Sequence, residues 1–185
     1  MEILETSLPG LILIKPDVFS DSRGYFFESY NRERFNSHGI MPDFVQDNES
    51  MSLKGVIRGL HYQLEPFAQS KLVRVVQGAV FDVAVDLRRG SPTFGKWFGA
   101  ELSGENKWQM LVPKGFAHGF SVLSPTVLFS YKCDQVYNRQ MERTIRFDDP
   151  FLGIDWKITK EEWCISEKDR MASDFHDAEI NFTFP

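Results

Sequence analysis

The segment KLVRVVQGAVFDVAVDLRRGSPTFG, residues 71–95, leaves few folds open. Valine recurs through its first half, Gln77-Gly78 interrupts it, and a Gly/Ser/Pro cluster closes it. That order predicts strand, turn, strand, turn. In the second strand Phe81, Val83, Val85 and Leu87 share one face, and Val80, Asp82, Ala84 and Asp86 share the other. One face is oily, while the other mixes small and acidic residues. A barrel or sandwich whose interior holds a polar pocket gives this pattern.

The rest of the chain reads similarly. GLILIKP is a strand ending at Pro16, and DSRGYFFESY passes a turn at Ser22-Arg23-Gly24 into another strand. KWFGAELS, KWQMLVP, HGFSVLS and TVLFSYKCD predict four more. NRERFNSHG predicts a short helix closed by Gly39, and Thr159 to Glu162 forms a capping box that starts another. Among 185 residues, 17 are Phe, which favours β structure. The expected fold is all-β: eight to twelve short strands in an antiparallel sandwich or barrel with small peripheral helices. No linker, repeat or low-complexity tract divides the chain, so residues 1–185 read as one domain.

A net charge of −5 argues against nucleic acid or an anionic membrane as a bulk partner. No apolar run approaches the length of a membrane span, and MEILETSLPG lacks the basic-then-apolar pattern of a secretory signal. Cys133 and Cys164 fit neither CxxC nor a disulfide framework. The expectation is a cytoplasmic protein with two reduced thiols.

RGLHYQ, residues 58–63, places Arg58 and His61 in an otherwise buried strand, where both types need partners. Positions 58 and 61 point to opposite faces of a regular strand. A bulge at Gly59 brings both to one side; otherwise one faces away. Lys71 opens an apolar strand nearby, and polar groups converging on one cavity mark a site. VPKGFAHGF presents His118 at a strand start. Two strand histidines raise the question of a metal, but there is no HxH pair, and His38 and His176 fall in surface segments. Asp169 in ISEKDR or Asp82 could hold His61 in one tautomer. Tyr131, on one face with Val127, Phe129 and Cys133, is either a core aromatic or a proton donor. Gln46, Asn48, Arg23 and Glu28 neighbour aromatic strands and could contact a ligand.

The set DSRGYFFESYN, QDNESMS, GVIRGLHYQ, KLVRVVQGAVFDVAVDLRRGSPTFGKW, PKGFAHGFSVLS, YKCDQVYN, DDPFLGIDW and SEKD, in order over nearly the whole chain, resembles the dTDP-4-dehydrorhamnose 3,5-epimerase family. The resemblance implies a cupin-type β-jelly-roll, a homodimer, and neither metal nor cofactor. It implies dTDP-4-dehydro-6-deoxy-D-glucose as substrate, inverted at C3 and C5 to dTDP-4-dehydro-L-rhamnose. It makes His61 the base, Asp169 its carboxylate partner, Tyr131 the proton donor and Lys71 the cation near O4. It places Arg23, Glu28, Gln46, Asn48, Arg58, His118, Glu142 and Lys168 at substrate contacts, and Tyr137 on the thymine. The competing readings are an epimerase acting on one carbon of a related dTDP-keto sugar, a non-catalytic sugar-nucleotide binding barrel, and a metal-dependent cupin enzyme.

Overall fold

The structure, a computed structural model, describes residues 1–185. Two sheets face each other. Along the first the order is β1 (Glu2–Glu5), β2 (Ile12–Lys15), β10 (Gln109–Val112), β7 (Lys71–Gln77), β12 (Thr126–Cys133) and β5 (Gln46–Leu53). Along the second it is β13 (Glu142–Thr144), β6 (Val56–Gln63), β11 (Phe116–Val122), β8 (Ala79–Asp86) and β9 (Trp97–Ser103). From β5 to β12 the chain switches sheets at every step except the β8–β9 hairpin, which leaves β5-β12-β7-β10 facing β6-β11-β8-β9. This is a jelly-roll. The eight core strands lie within the expected number. The total of 14 exceeds it, because β1, β2, β13, the two-residue β14 (Cys164–Ile165) and the β3 (Phe19–Asp21)–β4 (Gly24–Phe26) ribbon are added.

The two faces of β8 go to different cores. Val80 and Ala84 point between the sheets and join Val73, Val75, Phe120, Phe129 and Met110. Phe81, Val83 and Val85 point outward, with Leu87 beside them. An outward apolar face needs a cover, and the C-terminal chain supplies it through Phe147, Leu152, Trp156, Phe175 and Phe182. Trp156 Nε1 donates to Phe147 O at 2.8 Å, and Ser121 Oγ donates to Trp156 O at 2.5 Å. The first sheet is covered by α1 (Arg32–Ser37), which buries Phe35 beside Ile14, Ile40 and Leu72. Asn31 caps this helix by accepting from Arg34 N, and Gly39 after it has φ +77°. The capping box at Thr159 opens only a 3₁₀ turn, Lys160–Glu162.

Gly59 resolves the parity conflict. His118 pairs with His61 and Phe120 with Arg58, so three residues of β6 span two of β11. The extra residue is a bulge. It leaves Ile57, Leu60 and Tyr62 on the outer face and turns both Arg58 and His61 inward, into one cavity. Glycine is required here: φ is +128°, and a Cβ would lie 2.6 Å from Gly119 Cα.

Candidate active site

Between the sheets runs a cleft of two adjoining lobes, about 270 and 240 Å³. His61, Lys71 and Tyr131 line both. The inner lobe adds Arg58, His118, Ser50, Phe120 and Phe129. The outer adds Gln46, Asn48, Tyr137 and Glu142, together with Gln63, Gln69 and Cys133. His61 belongs to the second sheet, Lys71 and Tyr131 to the first, so they stand on opposite walls.

Asp169 reaches His61 through local capping. β14 runs parallel to β6 at Val56 and Ile57, which carries the chain to the bulge. Ser166 then caps α2 (Glu167–Arg170) by accepting from Asp169 N. This turn buries Asp169 and sets its Oδ1 2.7 Å from His61 Nε2. Burial raises the Asp169 pKa, but hydrogen bonds from His61, Ser166 and the Gly59 N–H outweigh it, and the carboxyl stays below its usual range. An ionised carboxylate only accepts, so Nε2 carries the proton and Nδ1 is left as the basic nitrogen. The two acidic candidates for His61 are thereby separated: Asp82 bonds His118 Nε2 through both oxygens, at 2.9 and 3.0 Å. Asp82 is fully buried, which pushes its pKa up against the pull of His118 and Lys71. No three His, Cys, Asp or Glu side chains gather where they could share one ion.

Lys71 sits across from Cys133 at the start of β7, with Nζ 6.0 Å from the Tyr131 ring centre. Burial lowers its pKa, opposed by Cys133, Glu142 and Asp82. Burial raises that of Tyr131, so the phenol holds its proton. Burial also lifts the Cys133 thiol to about 11. Both cysteines are free thiols, Cys133 buried and Cys164 exposed. Arg58 reaches across the sandwich, donating from Nε to Ser52 Oγ at 3.0 Å.

At the outer lobe, Glu142 Oε2 accepts from Tyr137 Oη at 2.9 Å and pairs with Lys168 Nζ at 2.6 Å. Burial acts to raise the Glu142 pKa, but these partners prevail and lower it. Gln46, Asn48, Tyr137, Glu142 and Lys168 therefore gather at one end. Arg23 and Glu28 do not line the cleft of their own chain. Arg23 sits at the β3–β4 turn, paired with Asp21 at 2.6 Å. Glu28 accepts from Asn31 Nδ2 at 3.1 Å beside α1. Sequence reasoning missed Gln63, Gln69 and Cys133. Parity could have found Gln63 from His61 and Cys133 from Tyr131, since each lies two residues along the same strand.

The arrangement places a base, a phenol and a half-buried cation around space for a small polar molecule, with an exposed aromatic at its mouth. Comparison with known proteins says which chemistry uses it. The family model for dTDP-4-dehydrorhamnose 3,5-epimerase matches residues 5–177. The dTDP-4-dehydrorhamnose 3,5-epimerase of Pseudomonas aeruginosa is 53% identical over 180 residues, covering 97% of this chain and 98% of the relative. The crystal structure of the enzyme of that name from Elizabethkingia anophelis superposes with a TM-score of 0.92 at 53% identity, over 96% of this chain and 97% of its own. The dTDP-6-deoxy-D-glucose-3,5-epimerase of Legionella pneumophila, solved with dTDP-4-keto-L-rhamnose, gives 0.95 at 46% identity, over 100% of this chain and 99% of its own. Nearly full-length identity around half, on the same jelly-roll, shows that this chain belongs to the dTDP-4-dehydrorhamnose 3,5-epimerase family of carbohydrate isomerases.

Proposed function

We propose that the cleft converts dTDP-4-dehydro-6-deoxy-D-glucose to dTDP-4-dehydro-L-rhamnose, with His61 as base and Tyr131 as acid. The observation that carries this is the His61–Asp169 pair on one wall and Tyr131 on the other, with Lys71 in the same cleft. C3 and C5 are both α to the C4 ketone, so removing either proton builds charge on O4. The Lys71 ammonium stabilises that oxyanion. His61 takes the proton on Nδ1, and Asp169 stabilises the imidazolium that forms. Tyr131 returns a proton from the opposite face, which inverts the carbon. Arg58 and His118 hold the sugar end. Gln46, Asn48, Glu142 and Lys168 hold the nucleotide end, where Tyr137 stacks on the thymine.

The working unit in this reading is a homodimer. The β3–β4 ribbon exposes Phe19, Tyr25 and Phe26, and edge strand β5 exposes Met51 and Leu53. An open edge beside exposed apolar side chains favours self-pairing. A second copy would bring Arg23 and Glu28 to the cleft that its partner's own ribbon does not reach. Mixing Arg23→Ala with His61→Ala tests this: a partner-supplied arginine regenerates one active site per mixed dimer, and a self-supplied one regenerates none. The chemistry is tested by turnover in D₂O. Label at both C3 and C5 is expected; label at C3 alone would make this a single-site epimerase, and no label would make it a binding protein.

A further inference from the structure

We propose that Gln63 and Gln69 are positioning residues for the nucleotide end of the site, fixing the segment 135–138 and through it the ring of Tyr137. This rests on the reading that Tyr137 stacks on the base. The segment lies between β12 and β13 and pairs with no strand. Each of its four residues is held by a glutamine amide instead. Gln69 Nε2 donates to Gln135 O at 2.7 Å, and Gln63 Nε2 donates to Val136 O at 3.3 Å. Tyr137 N donates to Gln46 Oε1 at 2.9 Å, and Asn138 N donates to Gln63 Oε1 at 2.6 Å. Gln63 Nε2 also donates to Phe67 O at 2.7 Å, which joins a second loop to the first.

Gln63 is 5% exposed and lines the cleft, yet both of its N–H groups and its oxygen are engaged by backbone. It therefore acts on a ligand through the segment it holds. Only a primary amide donates twice and accepts at one site, so neither Glu nor Met reproduces this bridge. Tyr137 itself is 52% exposed, and its side chain is tethered by the Glu142 bond. A half-exposed aromatic binds a base well when its backbone is fixed beforehand, because less ordering remains to oppose binding.

Calorimetric titration with dTDP and with inorganic pyrophosphate separates this role from a structural one. Gln63→Met and Gln69→Met should each weaken dTDP about tenfold, leave pyrophosphate unchanged, and raise KM with kcat retained. Gln69→Met should lose little further dTDP affinity when made in a Tyr137→Ala background. Unchanged dTDP affinity in the glutamine variants, parallel weakening of pyrophosphate, or a fall in kcat at constant KM would overturn the proposal. If buried Gln63→Met does not fold, Gln69→Met decides alone. If Tyr137→Ala leaves dTDP binding intact, the stacking reading fails and this inference with it. If Tyr137→Ala weakens dTDP and the glutamine variants do not, only this inference fails.

Discussion

Asp169→Asn removes one charge from the proposed base pair and little else. The Ser166 cap uses the backbone N–H of residue 169, so the α2 turn survives the change. The carboxylate lies 2.7 Å from Nε2, which puts the charge centres about 4 Å apart. At an effective dielectric of about 20 that interaction is worth about 4 kcal/mol. His61 is 30% exposed, and screening reduces this to about 2–3 kcal/mol. Losing it when the imidazolium forms slows exchange about 30- to 150-fold. A larger loss arises if the amide turns. Beside His61 Nε2–H, the carboxylate also answers the Ser166 hydroxyl and the Gly59 N–H, and an amide has one oxygen. If that oxygen stays with Gly59, Nδ2–H faces Nε2, the proton moves to Nδ1, and the base is gone; wrong-tautomer losses of this kind reach about 10⁴-fold. The assay is deuterium incorporation at C3 and C5, with KM measured beside it. KM should change little, because Asp169 touches the base and not the sugar. Exchange within about threefold of the unaltered enzyme would refute the pairing as a catalytic device.

Lys71→Met should slow exchange about 10²- to 10³-fold by removing the proposed O4 cation, and should raise the Tm at pH 7. Burial lowers the Lys71 pKa from 10.5, so between that lowered value and 10.5 the unfolded chain holds more protons and stability rises with pH. Thermal unfolding across that range should show the rise flattened in the variant; a lower Tm would contradict the reading of Lys71 as a desolvated cation. Tyr131→Phe should keep proton abstraction but lose completed inversion, seen as label incorporated without L-configured product by NMR. Gly59→Ala forces a side chain onto φ +128° and against Gly119, so it should cost about 1–3 kcal/mol or more in denaturant unfolding. Unchanged stability there would mean that the bulge relaxes.

The sandwich was legible where one face of a strand is oily and the other is not. The alternation from 79 to 87 separates two cores, and both faces of β8 are buried as that pattern implies. The C-terminal cover was not legible, because Phe147, Trp156, Phe175 and Phe182 sit on irregular chain without a period. β5 was hidden by its composition, since QDNESMSL alternates polar residues that line the cleft with residues that face out. At the site, strand parity and the in-strand Gly59 offered the bulge as one of two outcomes. The partner of His61 lies 108 residues away, and no spacing chooses Asp169 over Asp82. Only the resemblance did, and the geometry agrees. Arg23 belongs to a ribbon that leaves its own cleft, and Glu28 lies between that ribbon and α1, a displacement that no local pattern encodes.

Deuterium exchange by His61→Ala tests the assignment of the base most directly. With the fold verified by an unchanged circular dichroism spectrum, the variant should incorporate no label at C3 or at C5 when incubated with the keto sugar in D₂O. Substantial exchange surviving at either carbon would remove His61 as the group that takes that proton.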